Sequence, residues 1–95
     1  MKINAKYTCY EIIGATPLDD DESMTMYFLQ NGKLLYTHKF GTNEHNRAYF
    51  YDVVGNKVNV YENVLSQPCN VFIYDDEYIT SVVNGVTMRF KKIGE

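Results

Sequence analysis

The chain has no tryptophan, only two cysteines and two prolines, and no uninterrupted apolar run longer than the four residues 26–29. A membrane-spanning helix needs about 18 or more consecutive apolar residues, so the short runs exclude one. The first residues, Met1-Lys2-Ile3-Asn4-Ala5-Lys6, lack the apolar core of a secretory signal, and a cytoplasmic protein is expected. Two cysteines allow at most one disulfide. Cys9 and Cys69 show neither C-x-x-C spacing nor the company of other ligands, so we expect two buried thiols and no metal site. Basic residues are also scarce: nine Lys and Arg face twelve Asp and Glu, for a net charge of -3. That balance argues against a duplex nucleic-acid binder, which usually carries a basic face.

The 95 residues, 45% hydrophobic and 15% aromatic, are enough for one domain over 1–95 and are globular in composition. Turn signals dominate the pattern. Asn31-Gly32, Gly55-Asn56 and Asn84-Gly85 are two-residue hairpin signals set in β-rich sequence. Folding the flanks about Asn84-Gly85 places Val83 with Val86, Ser81 with Met88 and Ile79 with Phe90 on an apolar face. About Gly55-Asn56, Val53 meets Val58 and Tyr51 meets Val60, while Asp52 and Asn59 share the other face. About Asn31-Gly32, a two-residue turn pairs Tyr27 with Tyr36 and Thr25 with His38, and leaves neither face polar.

Strands are expected near 2–13, 24–30, 33–40, 47–54, 57–64, 70–74, 78–83 and 86–93. Ile3, Ala5, Tyr7, Cys9 and Ile13 would point inward on the first, and Val71 and Ile73 on the sixth. Short connections favour adjacent antiparallel strands, so the expected fold is all-β, a meander of about eight strands closed into a small barrel or a two-layer sandwich. A short helix over 20–30 or 62–67 is the local alternative. In a meander the long connections near 15–23, 41–46 and 65–69 share one end, where recognition is expected.

Asp19, Asp20, Asp21 and Glu22 form the sharpest charge cluster. As a calcium loop it fails, with Met24 where glycine is needed and Gln30 where a glutamate is needed. The cluster reads either as a solubilising loop or as an acidic contact for a basic partner. A second cluster, Asp75, Asp76 and Glu77, falls at the opposite end of a meander. Asn43, Glu44, His45 and Arg47 form a polar stretch with mixed donors and acceptors. No nucleophile-elbow, zincin, phosphate-loop or dinucleotide motif is present, so no catalytic residues and no cofactor are expected.

Nine tyrosines are the compositional excess. Four of them, Tyr10, Tyr61, Tyr74 and Tyr78, fall opposite the expected core face, where amphipathic rings suit recognition. The function expected from these features is a non-enzymatic protein-binding domain that blocks a larger host protein or enzyme by surface occlusion. Phage and mobile-element inhibitors of nucleic-acid-handling or defence enzymes have this compositional profile. Alternatives are a small-molecule or nucleotide sponge, a single-stranded nucleic-acid binder using Lys2, Lys6, Arg89, Lys91 and Lys92, and a structural subunit, with a homodimer left open.

Overall fold

The computed structural model describes residues 3–63 and 65–94; Met1 and Lys2, named above, lie outside them, as does position 64 of the ranges expected over 57–64 and 62–67. Eight antiparallel strands follow one another around a closed barrel in the order β1-β2-β3-β4-β5-β6-β7-β8. They are β1 (Ala5–Ile13), β2 (Glu22–Phe28), β3 (Lys33–Phe40), β4 (Asn43–Val54), β5 (Lys57–Tyr61), β6 (Asn70–Asp75), β7 (Tyr78–Val83) and β8 (Val86–Gly94). Closure comes from β1 pairing with β8, for example Cys9↔Phe90. The all-β expectation holds, as a barrel and without a helix among the described residues: the 20–30 segment supplies β2, and residues 62, 63, 65 and 66 form bends and a turn. No helix among these residues is long and apolar enough to cross a membrane.

Turn chemistry sets two hairpins as read from the sequence. Val53↔Val58 and Tyr51↔Val60 pair about Gly55-Asn56, and Ile79↔Phe90 and Ser81↔Met88 pair about Asn84-Gly85. The first hairpin differs by one residue. Leu29 N–H bonds the Lys33 carbonyl at 2.8 Å and Gly32 N–H bonds the Leu29 carbonyl at 3.1 Å, with Gly32 at φ 89°. This is a three-residue loop ending in a left-handed glycine. Met26 therefore pairs with Tyr36 and Met24 with His38. A slip of one residue exchanges faces, so Met24, Met26 and Phe28 now join Leu34 and Tyr36 on one inward apolar face.

Two further faces are corrected. In β1, Cys9 and Glu11 pair with the consecutive residues Phe90 and Arg89, so Tyr10 is an extra residue in a bulge. Beyond it Ile12, not Ile13, packs against the core, and Ile13 is exposed. In β6, Phe72 and Tyr74 turn inward because their partners, Val58 and Ile79, are fully buried; Val71 and Ile73 face out. With both faces apolar, alternation alone could not choose.

The core is asymmetric along the barrel axis. At one end Tyr7, Phe28 and Tyr51 interlock edge to face, with ring centroids 5.7 and 5.1 Å apart. Ile3, almost fully buried, closes that end. The Tyr7 hydroxyl donates to the Asp76 carbonyl at 2.6 Å, which offsets the cost of burying it. At the other end the wall divides. The β1–β2 ladder runs only from Ala5↔Phe28 to Thr8↔Thr25, and the β4–β5 ladder stops at Phe50↔Tyr61. Among the described residues, β4 from 43 to 49 pairs with β3 alone. The upper halves of β2, β3 and β4 thus form a leaf that is not laddered to β1 on one side or to β5 on the other.

Candidate functional site

The divided end is where the connections 14–21 and 62–69 lie, together with the turns at 41–42 and 84–85. The expected long loop over 41–46 is instead a two-residue turn, Gly41 and Thr42, and strand β4 begins at Asn43. Gly41, at φ 59°, supplies the turn, and its N–H bonds the Asp21 carbonyl at 3.0 Å.

That correction splits one expected constellation. Alternation along β4 places Asn43, His45 and Arg47 on the face shared with Tyr49, and Glu44 on the opposite one. Glu44 accepts from Asn46 Nδ2 at 3.0 Å, and Asn46 Oδ1 accepts from Thr37 at 2.8 Å, all on the outer surface. His45 pairs across the ladder with His38, and Arg47 with Tyr36. His38, expected opposite Thr25, instead reaches Glu22 at 2.6 Å. The His38 contact holds the Glu22 carboxyl below its usual value, with help from the Asp19 backbone.

The acidic cluster is locally organised. Glu22 N–H bonds the Asp19 carbonyl at 3.0 Å, and Asp19 N–H bonds Glu22 Oε1 at 3.2 Å. The turn so formed leaves Asp19, Asp20 and Asp21 exposed at the divided end. Asp76 and Glu77, in the β6–β7 turn, lie at the other end, so the two clusters do not meet.

Inside the divided end lies a cavity of about 470 Å³. Its buried base is Met26, Leu34, Val60, Phe72 and Phe90. Nearer the opening stand Met24, Tyr36, Tyr49 and Met88. Polar groups come from Arg47, Glu62, Cys69, Asn70 and Ser81. Arg47 shares a hydrogen bond with the Tyr49 side chain, which together with Glu62 favours its charged form. Burial, with smaller contributions from Cys9, Tyr49 and Glu22, pushes the Tyr36 phenol up to about 12. Both cysteines are free thiols; Cys9 is buried as expected, but Cys69 is exposed, in the connection that borders the cavity. Among the described residues no group of three or more His, Cys, Asp or Glu side chains is placed to hold a metal ion.

The four singled-out tyrosines part company. Tyr10 and Tyr78 meet on the outside, ring centroids 6.0 Å apart, because the bulge adds Tyr10 to the outer row. Tyr61 lies on another part of the wall and bonds Asp52 Oδ2 at 3.0 Å, which raises its phenol pKa. Tyr74 faces inward and packs on the core. Around the Tyr10–Tyr78 pair, Ile13, Val71, Ile73 and Val82 are all exposed on the adjoining strands β6, β7 and β1, with β8 between β7 and β1. Strand β8 contributes outward Thr87, Arg89 and Lys91 to the same face. Sequence alternation missed this face because it assigned Ile13, Val71 and Ile73 to the interior.

The β1–β8 pairing brings the expected basic strip onto one wall but thins it. Arg89 pairs with Glu11 at 3.4 Å, Lys92 approaches Asp76 at 3.9 Å, and Lys6 lies over the Tyr27 ring at 5.0 Å. Comparison with family models, curated proteins and solved structures found no match to this chain.

Proposed function

We propose that this protein is a non-enzymatic binding module that covers part of a larger protein with the outer face of β6, β7, β8 and β1. The supporting observation is the run of exposed apolar side chains on those adjoining strands, in which Val82 is 62% and Tyr10 50% exposed. The outside of a barrel in water usually reads polar on alternate positions, and a contiguous apolar surface costs solubility unless something covers it. Paired tyrosines add large contact area with little rotamer entropy to lose. Arg89 and Lys91 lie on β8, between the apolar residues of β7 and β1, with Arg89 ion-paired to Glu11 at 3.4 Å, which suits a partner patch that sets an acidic group among apolar ones.

The same proposal places the protein in the cytoplasm, acting on a host enzyme of the nucleic-acid-handling or defence class, as a phage or mobile element would require. Asp19, Asp20 and Asp21, exposed at the end of the barrel, would then meet basic surface of that enzyme. A tagged protein incubated with host lysate is expected to retain one stoichiometric protein, and the Tyr10→Ala/Val82→Lys double variant to lose it. Recovery of no stoichiometric partner, or equal recovery by the variant, overturns the assignment. Sedimentation distinguishes a second copy of the chain, which would produce a dimer that the same variant dissociates.

A further inference from the structure

We infer that the cavity at the divided end is a binding site for one small amphipathic molecule, an aromatic or short-chain body carrying a single anionic group. This site lies inside the barrel and does not depend on the outer-face reading.

Three observations carry it. First, the opening is built into the strand lengths. Strand β5 ends at Tyr61 while β4 continues beside β3 to Asn43, so among the described residues no ladder closes the wall above Phe50↔Tyr61. The opposite end, by contrast, is filled by Ile3, Tyr7 and Tyr51. An eight-stranded interior has room either for its own side chains or for one small ligand, and this barrel divides those roles between its two ends. Second, the cavity of about 470 Å³ falls within the usual range for small-molecule sites and is apolar at its base. Met24, Met26 and Met88 line it, and flexible thioethers adapt to flat or chain-like bodies. On the other side, Ser81 and Asn70 project little volume, which leaves the space unfilled.

Third, the two charged groups of the lining, Arg47 and Glu62, are exposed and sit toward the opening. Arg47 supplies a guanidinium fork beside Tyr49, suited to a carboxylate, sulfonate or phosphate oxygen pair. Glu62, also on the lining, repels a second anionic group and restricts the ligand to one. The ligand's body would enter first and its head would remain at Arg47.

The probe is 1-anilinonaphthalene-8-sulfonate, which has an aromatic body and one sulfonate. The folded protein is expected to bind one equivalent with enhanced, blue-shifted emission, and Arg47→Gln to weaken binding roughly tenfold, as loss of a charge-assisted hydrogen bond does. Alkylation of the exposed Cys69 with N-ethylmaleimide, which leaves every core side chain unchanged, is expected to narrow the mouth and reduce binding; Met88→Trp fills the cavity and should abolish it. Conversely, bound probe should slow alkylation of Cys69. The Tyr10→Ala/Val82→Lys variant should bind as the parent does. Absence of probe binding overturns the inference, as does binding that survives both Cys69 alkylation and Arg47→Gln, or binding lost with the outer-face variant alone.

Discussion

The Tyr51 hydroxyl accepts a hydrogen bond from Ile3 N–H at 2.9 Å, joining the C-terminal part of β4 to the segment that precedes β1, 48 positions away in the chain. Its own proton is directed to the carbonyls of Leu29 at 2.6 Å and Ile3 at 2.7 Å. One phenol thus satisfies buried backbone groups from two separate segments and holds the closed end of the barrel. Tyr51→Phe keeps the ring packing against Phe28 and removes all of these bonds. An unmade bond to a buried donor costs about 1–3 kcal/mol, so we expect that loss in urea denaturation with an unchanged m-value. A loss below about 0.5 kcal/mol would show that water replaces the hydroxyl.

Gly14 and Gly85 meet at the divided end. A Cβ on Gly14 would lie 2.5 Å from the Gly85 carbonyl oxygen, and Gly14 has φ 92°. Gly14→Ala therefore combines backbone strain with a clash against backbone, and should cost more than the roughly 1–2 kcal/mol expected from the left-handed conformation alone. Gly55, at φ 62° with nothing near its would-be Cβ, isolates the strain component. Thermal unfolding of the two alanine variants should rank Gly14→Ala as the less stable.

Glu22 titrates below its ordinary value of 4.5, chiefly through the hydrogen bond from His38 and then through the Asp19 backbone. A depressed carboxyl contributes stability above its unfolded pKa and loses that contribution as pH falls through the folded value. The stabilisation is thus complete above the usual carboxylate range and disappears below it. Carboxyl-carbon NMR of Glu22 should give a midpoint below 4.5 that moves up toward it in His38→Ala. An unchanged midpoint in that variant would remove His38 as the cause.

The two thiols should react separately. Cys69 is exposed, whereas burial pushes the Cys9 thiol up and hides it. A disulfide exchange reagent is expected to titrate one thiol in the native protein and two in denaturant, with mass spectrometry placing the first at Cys69. Simultaneous reaction of both would indicate opening of the β1–β8 seam.

Positive-φ turn residues act on their immediate neighbours, which is why the pairings about Gly55-Asn56 and Asn84-Gly85 were legible from the chain alone. The same logic misplaced the first hairpin by one residue, since Asn31-Gly32 serves equally in a two-residue turn or as the end of a three-residue loop. Only the packing of Met24, Met26 and Phe28 against Leu34 and Tyr36 distinguishes the two. Of the expected site, the acidic turn was visible as a cluster, whereas Tyr10 and Tyr78 were visible as residues but not as neighbours. Glu44 was grouped with His45 and Arg47 because a polar strand at a barrel rim reads like a loop.

Amino-acid order by itself determined the eight strands and their antiparallel succession, because strand propensity and turn geometry act over a few residues. Tertiary structure alone decided that β1 closes on β8, that Tyr10 is the bulged residue, that Phe72 and Tyr74 rather than Val71 and Ile73 face inward, and that one end stays open. Those outcomes depend on ladders and contacts between residues tens of positions apart, where two apolar faces of one strand compete for the same interior.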